Sequence, residues 1–294
     1  FCGCQCVRSG WLLRLSVSPS SQMAPPSDRA PLQRRGSSIV VKSGEVAWTQ
    51  PKDKGQKPGP RSGHTINCVQ EKAILFGGCG VGEGTSAVFN DTYIIHIADG
   101  YRWEKVDAMG DLPHARWRHT ATTLPDNNSI FVFGGLCKGK RFNDSFLYDV
   151  ARREWSVKEI AGNPPHPRSH HTASLVEFDE EEDGEAEKKI FIIGGYGGNG
   201  SARDFSLDVH ALDLDTWSWS KIERIKGVPP KPRADHTVCV ADNLLILSGG
   251  RGASTKGFSG YFDDVHILDL ADQEWKRPAN YTGVGAAGRE CLRR

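Results

Sequence analysis

Two residue types that could carry acid–base chemistry recur at a fixed spacing. An Arg stands three residues before a His, and this pair occurs four times in the 294 residues. Imidazole is the side chain that most often moves protons or binds metals near neutral pH. A catalytic group is needed once, whereas this pair returns in every copy. We therefore predict structural hydrogen bonds between repeats and no catalytic residue. The copies are Arg61-Ser-Gly-His64, Arg116-Trp-Arg-His119, Arg168-Ser-His-His171 and Arg233-Ala-Asp-His236.

Other motifs do not combine into a cofactor or metal site. Gly-rich segments at 78–82 and 194–198 look like nucleotide loops, but no helix is predicted after either. Phosphate would therefore lack the helix N-terminus that normally holds it. His210 and His266 replace Tyr93 of the first repeat, and His96 replaces the final Asp of the same segment. All three are interpreted as packed or surface residues. We predict no metal and no cofactor.

The eight cysteines do not form the pattern of a disulfide framework. Cys68 and Cys239 lie in apolar runs and are predicted to be buried thiols. This usage favours a reducing compartment, the cytoplasm, with the nucleus as the alternative. Residues 1–22 are interpreted as lying outside the functional chain, which would open at Met23. A soft-metal or lipid motif at 2–6 and a mitochondrial transit segment are the alternatives.

Each Arg–His pair introduces a longer repeat. The histidine precedes Thr, an apolar run that ends in Gly-Gly, a segment that starts at Asp and finally a Trp. Successive His-Thr steps are 55, 52 and 65 residues long. Runs of four to six β-branched and aromatic residues are too short for helices and predict four strands per repeat. The chain is therefore predicted to be all-β. The four units span about 61–103, 116–155, 168–219 and 233–275.

This pattern resembles the kelch-repeat family, whose hallmarks are the Gly-Gly doublet and the spaced Trp. The opening Pro-x-x-Arg-x-x-His-Thr is similar to the Rab9-effector-like and host-cell-factor-like subtype. The resemblance covers about residues 44–289 and implies a β-propeller of four complete four-stranded blades. Apolar sheets stacked around an axis bury each other's faces.

The ends of the repeat array predict an incomplete ring. Val46–Trp48 has the spacing of an orphan fourth strand, and Arg289 has that of the next unit's start. We expect a truncated larger propeller, with 290–294 as the stub of a missing blade and open edges that permit self-association. A closed four-bladed ring is the alternative. Residues 1–43 are predicted to be a disordered tail in which Ser37, after Arg34-Arg-Gly, is a phosphorylation site.

Charge is distributed unevenly although the net charge is only +1. The loops between second and third strands carry a net charge of +5 and several aromatic residues. The segment 177–189 is acidic, is predicted to be a solvated loop and explains the 65-residue step. We predict a protein partner with an acidic peptide or surface, and neither a nucleic-acid partner nor a membrane span. The predicted partner-binding residues are Lys138, Lys140, Arg141, Tyr196, Arg203, Arg251, Lys256, Phe258 and Tyr261.

The sequence thus predicts a non-enzymatic interaction scaffold or adaptor. An N-terminal regulatory domain of a larger enzyme, such as a kelch-containing protein phosphatase, is the main alternative. A kelch-fold enzyme that uses the central pocket is a further one.

Overall fold

The computed structural model describes residues 52, 54–82, 85–178, 186–197, 204–253 and 259–278. In these residues the chain forms strands and no helix, so the all-β prediction is confirmed. The strands build four main sheets, one for each repeat, and two separate two-stranded ribbons. We call each main sheet a blade. The described residues include no helix with the length and apolar character needed to span a membrane.

The blades have the following strands. Blade 1 contains β1 (Lys54–Gly55), β2 (Arg61–Ser62), β3 (Thr65–Val69), β4 (Lys72–Gly82), β5 (Thr85–His96) and β6 (Arg102–Val106). Blade 2 contains β7 (Met109–Gly110), β8 (Thr120–Thr123), β9 (Ser129–Phe133), the ribbon β10 (Leu136–Cys137) and β11 (Lys140–Arg141), β12 (Ser145–Asp149) and β13 (Glu154–Val157). Blade 3 contains β14 (Ala161–Gly162), β15 (Arg168–Ser169), β16 (Thr172–Phe178), β17 (Glu187–Gly197), β18 (Asp204–Asp213) and β19 (Ser218–Lys221). Blade 4 contains β20 (Lys226–Gly227), β21 (Thr237–Ala241), β22 (Leu244–Ser248), the ribbon β23 (Arg251–Ala253) and β24 (Ser259–Tyr261), β25 (Val265–Asp269) and β26 (Glu274–Lys276).

The four main strands of each blade pair antiparallel in sequence order, and the first strand is innermost. The first strands β3, β8, β16 and β21 contact one another from blade to blade. Such radial packing of sheets around an axis is the β-propeller architecture. Clusters of buried apolar side chains fill the spaces between successive blades. Trp155 packs at 4.6 Å from Phe76 of blade 1, and Trp219 packs at 5.2 Å from Phe133 of blade 2.

A short outer strand, absent from the sequence prediction, completes each blade. The strands β1, β7, β14 and β20 run parallel to the fourth strand of their blade. Each ends on a glycine six residues before the motif arginine. At Gly110 the backbone has a φ of +79°, and a Cβ would lie 2.1 Å from the carbonyl oxygen of Trp155. Only glycine allows this contact between the two strands.

The Gly-Gly doublets lie where the next blade's backbone comes closest. The amide of Gly78 donates to the carbonyl of Arg116 in blade 2 at 2.9 Å. A Cβ on Gly77 would lie 2.7 Å from that same oxygen, and one on Gly78 would lie 2.9 Å from Cβ of His64. A side chain at either glycine would therefore collide with neighbouring atoms, which is the steric reason for the doublet.

Three local expectations are corrected. The segments predicted as loops between second and third strands are ribbons, in which Leu136 pairs with Arg141 and Arg251 pairs with Tyr261. The acidic segment is not entirely a loop, because β16 extends through Phe178 and β17 starts at Glu187. Cys68 and Cys239 are exposed, since the alternation of strand residues turns them away from the core. The predicted orphan strand Val46–Trp48, the tail 1–43 with Ser37 and the stub 290–294 lie outside the described residues.

Candidate functional site at the propeller axis

The second of the two residues between the motif Arg and His differs in every repeat, and it lines the axis. These four residues are Gly63, Arg118, His170 and Asp235, all with φ between 56° and 64°. The amide of Arg118 donates to the carbonyl of Gly63 at 2.8 Å. His170 donates in the same way to Arg118, and Asp235 donates to His170, each at 3.1 Å. This relay joins the blades on the face from which the ribbons project. Because its side chains do not repeat, they are the ones free to confer specific recognition.

One carboxylate connects two guanidinium groups across this face. Oδ2 of Asp235 accepts from Nε of Arg251 at 2.6 Å, and Oδ1 accepts from Nη1 of Arg118 at 3.2 Å. Arg118 belongs to blade 2 and the other two residues to blade 4, so the contact bridges over blade 3. The side chains keep partial exposure, which leaves them accessible to a ligand.

Three of the predicted partner-binding residues meet at the ring of Tyr196. The guanidinium of Arg141 lies over this ring at 4.4 Å from its centroid, and that of Arg251 lies at 5.9 Å. Arg251 also lies 5.6 Å from the centroid of Phe205. Cation–π contacts of this kind hold the arginines in place. Nε of Arg141 is buried and has no hydrogen-bond partner in the described part of the chain.

The charged side chains of the three arginines and of Asp235 all lie near His170. Burial lowers the pKa of His170 to about 4; the nearby Asp235 raises it, and Arg118, Arg251 and Arg141 lower it further. The imidazole is therefore neutral at pH 7, with Nδ1 at 2.8 Å from the hydroxyl of Ser169. The ring of Trp117 packs edge-on against it at 5.9 Å. Three guanidinium groups thus surround one carboxylate and one neutral histidine. We call this group the axis cluster: Trp117, Arg118, Arg141, His170, Tyr196, Phe205, Asp235 and Arg251.

The remaining predicted residues lie farther out or outside the description. Lys138 and Lys140 are exposed on the blade 2 ribbon, and Tyr261 is 61 % exposed on the blade 4 ribbon. Arg203, Lys256 and Phe258 lie outside the described residues. Five members of the axis cluster were not predicted from the sequence. Four of them stand inside the repeated Arg-x-x-His motif, where non-repeating residues mark the positions free for specific recognition, whereas Phe205 lies outside that motif. Those missed are Trp117, Arg118, His170, Phe205 and Asp235.

The repeated arginines and histidines are structural, as predicted, but they act differently from one another. Nε2 of His119 pairs with the hydroxyl of Thr65 in blade 1 at 3.0 Å, so the histidine prediction of contacts between blades is confirmed. The arginine prediction of contacts between blades holds for the backbone of Arg116, whose carbonyl accepts from Gly78 and whose amide donates to the carbonyl of Phe89 in blade 1 at 3.0 Å. It is wrong for the Arg116 side chain, which bonds inside its own blade. It reaches Asp144 with two bonds of 2.7 and 3.0 Å and the carbonyl of Gly134 at 2.9 Å. The same Arg–Asp pair occurs in all four blades.

Three histidines outside the repeated motif each contact a single carboxylate. His96 contacts Glu104 at 2.7 Å, and His210 and His266 contact the Asp two residues before them. His166 and His170 have the His-x-x-x-His spacing of helical zinc sites, but here they flank the strand β15. Among the residues that the structure describes, no three His, Cys, Asp or Glu side chains group as metal ligands.

A cavity of about 330 Å³ lies beside the axis cluster in blade 3, and Phe205 forms part of its wall. Two of its charged groups pair with each other, because Arg168 holds Asp208 with bonds of 2.6 and 2.8 Å. Burial raises the pKa of the Asp208 carboxyl, but the bonds to Arg168 outweigh it and hold that pKa far below its ordinary value. Asp208 is therefore ionised near neutral pH and cannot serve as a proton donor there.

Comparison with known proteins agrees with this architecture. The family model described as the KLHDC2/KLHL20/DRC7 Kelch-repeats domain matches residues 82–291. The dynein alpha chain of the flagellar outer arm of Chlamydomonas reinhardtii is 34 % identical over 243 residues, covering 79 % of this chain and 5 % of that protein. The Rab9 effector protein with kelch motifs of Rattus norvegicus is 29 % identical over 230 residues, covering 75 % of this chain and 55 % of that one. Host cell factor 2 of Homo sapiens is 30 % identical over 248 residues, covering 74 % and 30 % respectively.

A solved structure, described as "Structure of YjhT", superposes with a TM-score of 0.55 at 19 % identity, covering 71 % of this chain and 69 % of that chain. At this identity the match shows the fold alone. The chain spans between 5 % and 55 % of the length of the three relatives above.

Proposed function

Because this chain belongs to the kelch-repeat family, we propose that it is a non-enzymatic interaction module that binds an acidic peptide or protein surface at the axis cluster. The observation that carries the proposal is the convergence of Arg118, Arg141 and Arg251 on one face, held by aromatic rings and balanced by a single carboxylate. The name of the Rab9 effector relative supports a role in protein recognition.

The residues around the axis favour binding over catalysis. Three of the repeated histidines, His119, His171 and His236, have lowered pKa values and pair with a Thr hydroxyl of the preceding blade. The repeated arginines and aspartates form ion pairs with each other. Aromatic rings and arginines beside a relay of backbone bonds are instead typical of the anchor residues of protein interfaces.

A charge-reversal triple tests the proposal: Lys138→Glu, Lys140→Glu and Arg141→Glu on the blade 2 ribbon. Binding of a short Glu- and Asp-rich peptide should weaken by at least about tenfold, and its salt dependence should diminish. The control triple Lys72→Glu, Arg152→Glu and Lys188→Glu makes the same charge change on the opposite face. Equal binding by the two triples would contradict the proposal.

A second possibility is that this chain is a regulatory domain of a larger enzyme. In support of it, the chain spans only 5 % to 55 % of the length of the three relatives above. A full-length transcript that continues into a phosphatase domain would favour it. The interaction surface described above would then serve to place that enzyme on its target.

A further inference from the structure

Within the axis cluster, the positive charges outnumber the negative ones. Its three arginines face the carboxylate of Asp235, which already bridges Arg118 and Arg251. His170 contributes no charge at neutral pH because burial lowers its pKa to about 4. Two positive charges therefore remain for a ligand within this group.

Arg141 is the arginine of the axis cluster that is best placed to bind an anion. It makes no ion pair with a carboxylate in the described residues, and its Nε is buried without an acceptor. A buried donor without an acceptor is energetically unfavourable. Stacking at 4.4 Å over Tyr196 fixes the guanidinium plane, so it cannot turn to water freely. The Arg141 side chain as a whole keeps partial exposure, so an incoming anion can pair with its terminal nitrogens.

We propose that the axis cluster binds a phosphate monoester carried on an acidic peptide. The inference rests on the proposed function and names the group that the same face recognises. A monoester dianion neutralises both remaining charges, whereas a carboxylate neutralises one. Its oxygens can accept from Arg141 while others accept from Arg118 or Arg251, and planar guanidinium groups pair well with phosphate. Asp235 holds Arg118 and Arg251 in place through its two oxygens before the ligand arrives.

Three acidic peptides that differ at one central residue test the inference. That residue is Ser, Glu or phosphoserine, and binding to the full chain is measured by fluorescence anisotropy at about 0.15 M salt. The phosphoserine peptide should bind about tenfold or more tightly than the Glu peptide, because its extra charge meets fixed arginines. Arg141→Ala should reduce this ratio to below about threefold, and Arg141→Lys should reduce it partly, since lysine lacks the planar fork. Arg152→Ala, an exposed change on the opposite face, should leave the ratio unchanged.

The outcomes separate this inference from the proposed function. Equal, Arg141-dependent binding of the Glu and phosphoserine peptides would overturn the phosphate inference and leave the acidic-peptide proposal intact. No binding of any of the three peptides would contradict both. Inorganic phosphate is a further competitor, and if it bound as tightly as the phosphoserine peptide, the site would be one for the free anion, which would overturn the peptide inference. Urea midpoints of both Arg141 variants, matched to wild type, show that the fold is retained.

Discussion

Three buried histidines make the stability of the propeller depend on pH. Burial, followed by the nearby motif arginine, lowers the pKa of His119 to about 3 and that of His236 to about 4 from an ordinary 6.5, and that of His171 also falls well below 6.5. The unfolded chain therefore binds protons below pH 6.5 that the folded chain excludes. The free energy of unfolding should be constant above about pH 7 and fall by up to about 1.4 kcal/mol per pH unit for each histidine as the pH drops.

Urea unfolding between pH 7.5 and 5 measures this slope before carboxyl groups contribute. The variant His119→Gln retains a partner for the Thr65 hydroxyl and cannot titrate, so its slope should be shallower than that of wild type. A free energy that stays flat over this range would show that the histidines are not buried as described.

The second prediction at the residue scale is that the Arg–Asp pair of each blade contributes strongly to stability. Arg116 has no exposed side-chain surface and forms two bonds to Asp144. Arg116→Ala should cost about 3–5 kcal/mol, since it leaves a carboxylate and a carbonyl without their donor. Arg116→Lys should also destabilise the protein, because an ammonium group cannot reproduce the bidentate contact. Arg152 is 77 % exposed, and Arg152→Ala should change the stability by less than about 0.5 kcal/mol. Chemical denaturation of the three variants provides the comparison.

At the scale of elements, the outer strand should be as essential as the four main ones. Gly110→Ala would place a Cβ 2.1 Å from the carbonyl oxygen of Trp155, so β7 would have to move away from β13. Gly139 has a similar φ of +83° at the tip of the blade 2 ribbon, with open space around it. Gly139→Ala should therefore cost only the left-handed strain of about 1–2 kcal/mol, and Gly110→Ala clearly more. Equal thermal shifts for the two variants would contradict a structural role for β7.

The main strands could be predicted because the apolar runs, the Gly-Gly doublets and Trp155 repeat with the blade. The outer strands could not be predicted from apolar pattern, since two residues such as Met109–Gly110 carry no periodicity. Their signal is the glycine six residues before each motif arginine. The charged ribbon residues Arg141 and Arg251 were predicted from sequence, but their meeting at Tyr196 depends on packing between blades, which sequence spacing does not encode.

At the scale of the whole molecule, blade 4 differs from the inner blades. Leu245, Leu247 and Leu268 pack against blade 3. The alternating residues of the same strands, Ile246 and Ile267, lie on the opposite face and are only partly buried. The equivalent residues of blade 3, Phe191 and Ala211, are 3 % and 1 % exposed because blade 4 covers them. An apolar sheet face without such cover is a surface for association.

The predicted self-association through open edges can be tested at this face. We expect the sedimentation coefficient of the wild-type chain to rise with concentration, with a second copy covering Ile246 and Ile267. Ile246→Asp should abolish the rise, because a carboxylate cannot be buried between two apolar sheets without a large desolvation cost. Val81→Asp adds the same charge at a site that is already 70 % exposed, and should sediment like wild type. A wild-type chain that remains monomeric at all concentrations would contradict the prediction. The same result would favour a ring whose fourth blade is covered from within the chain.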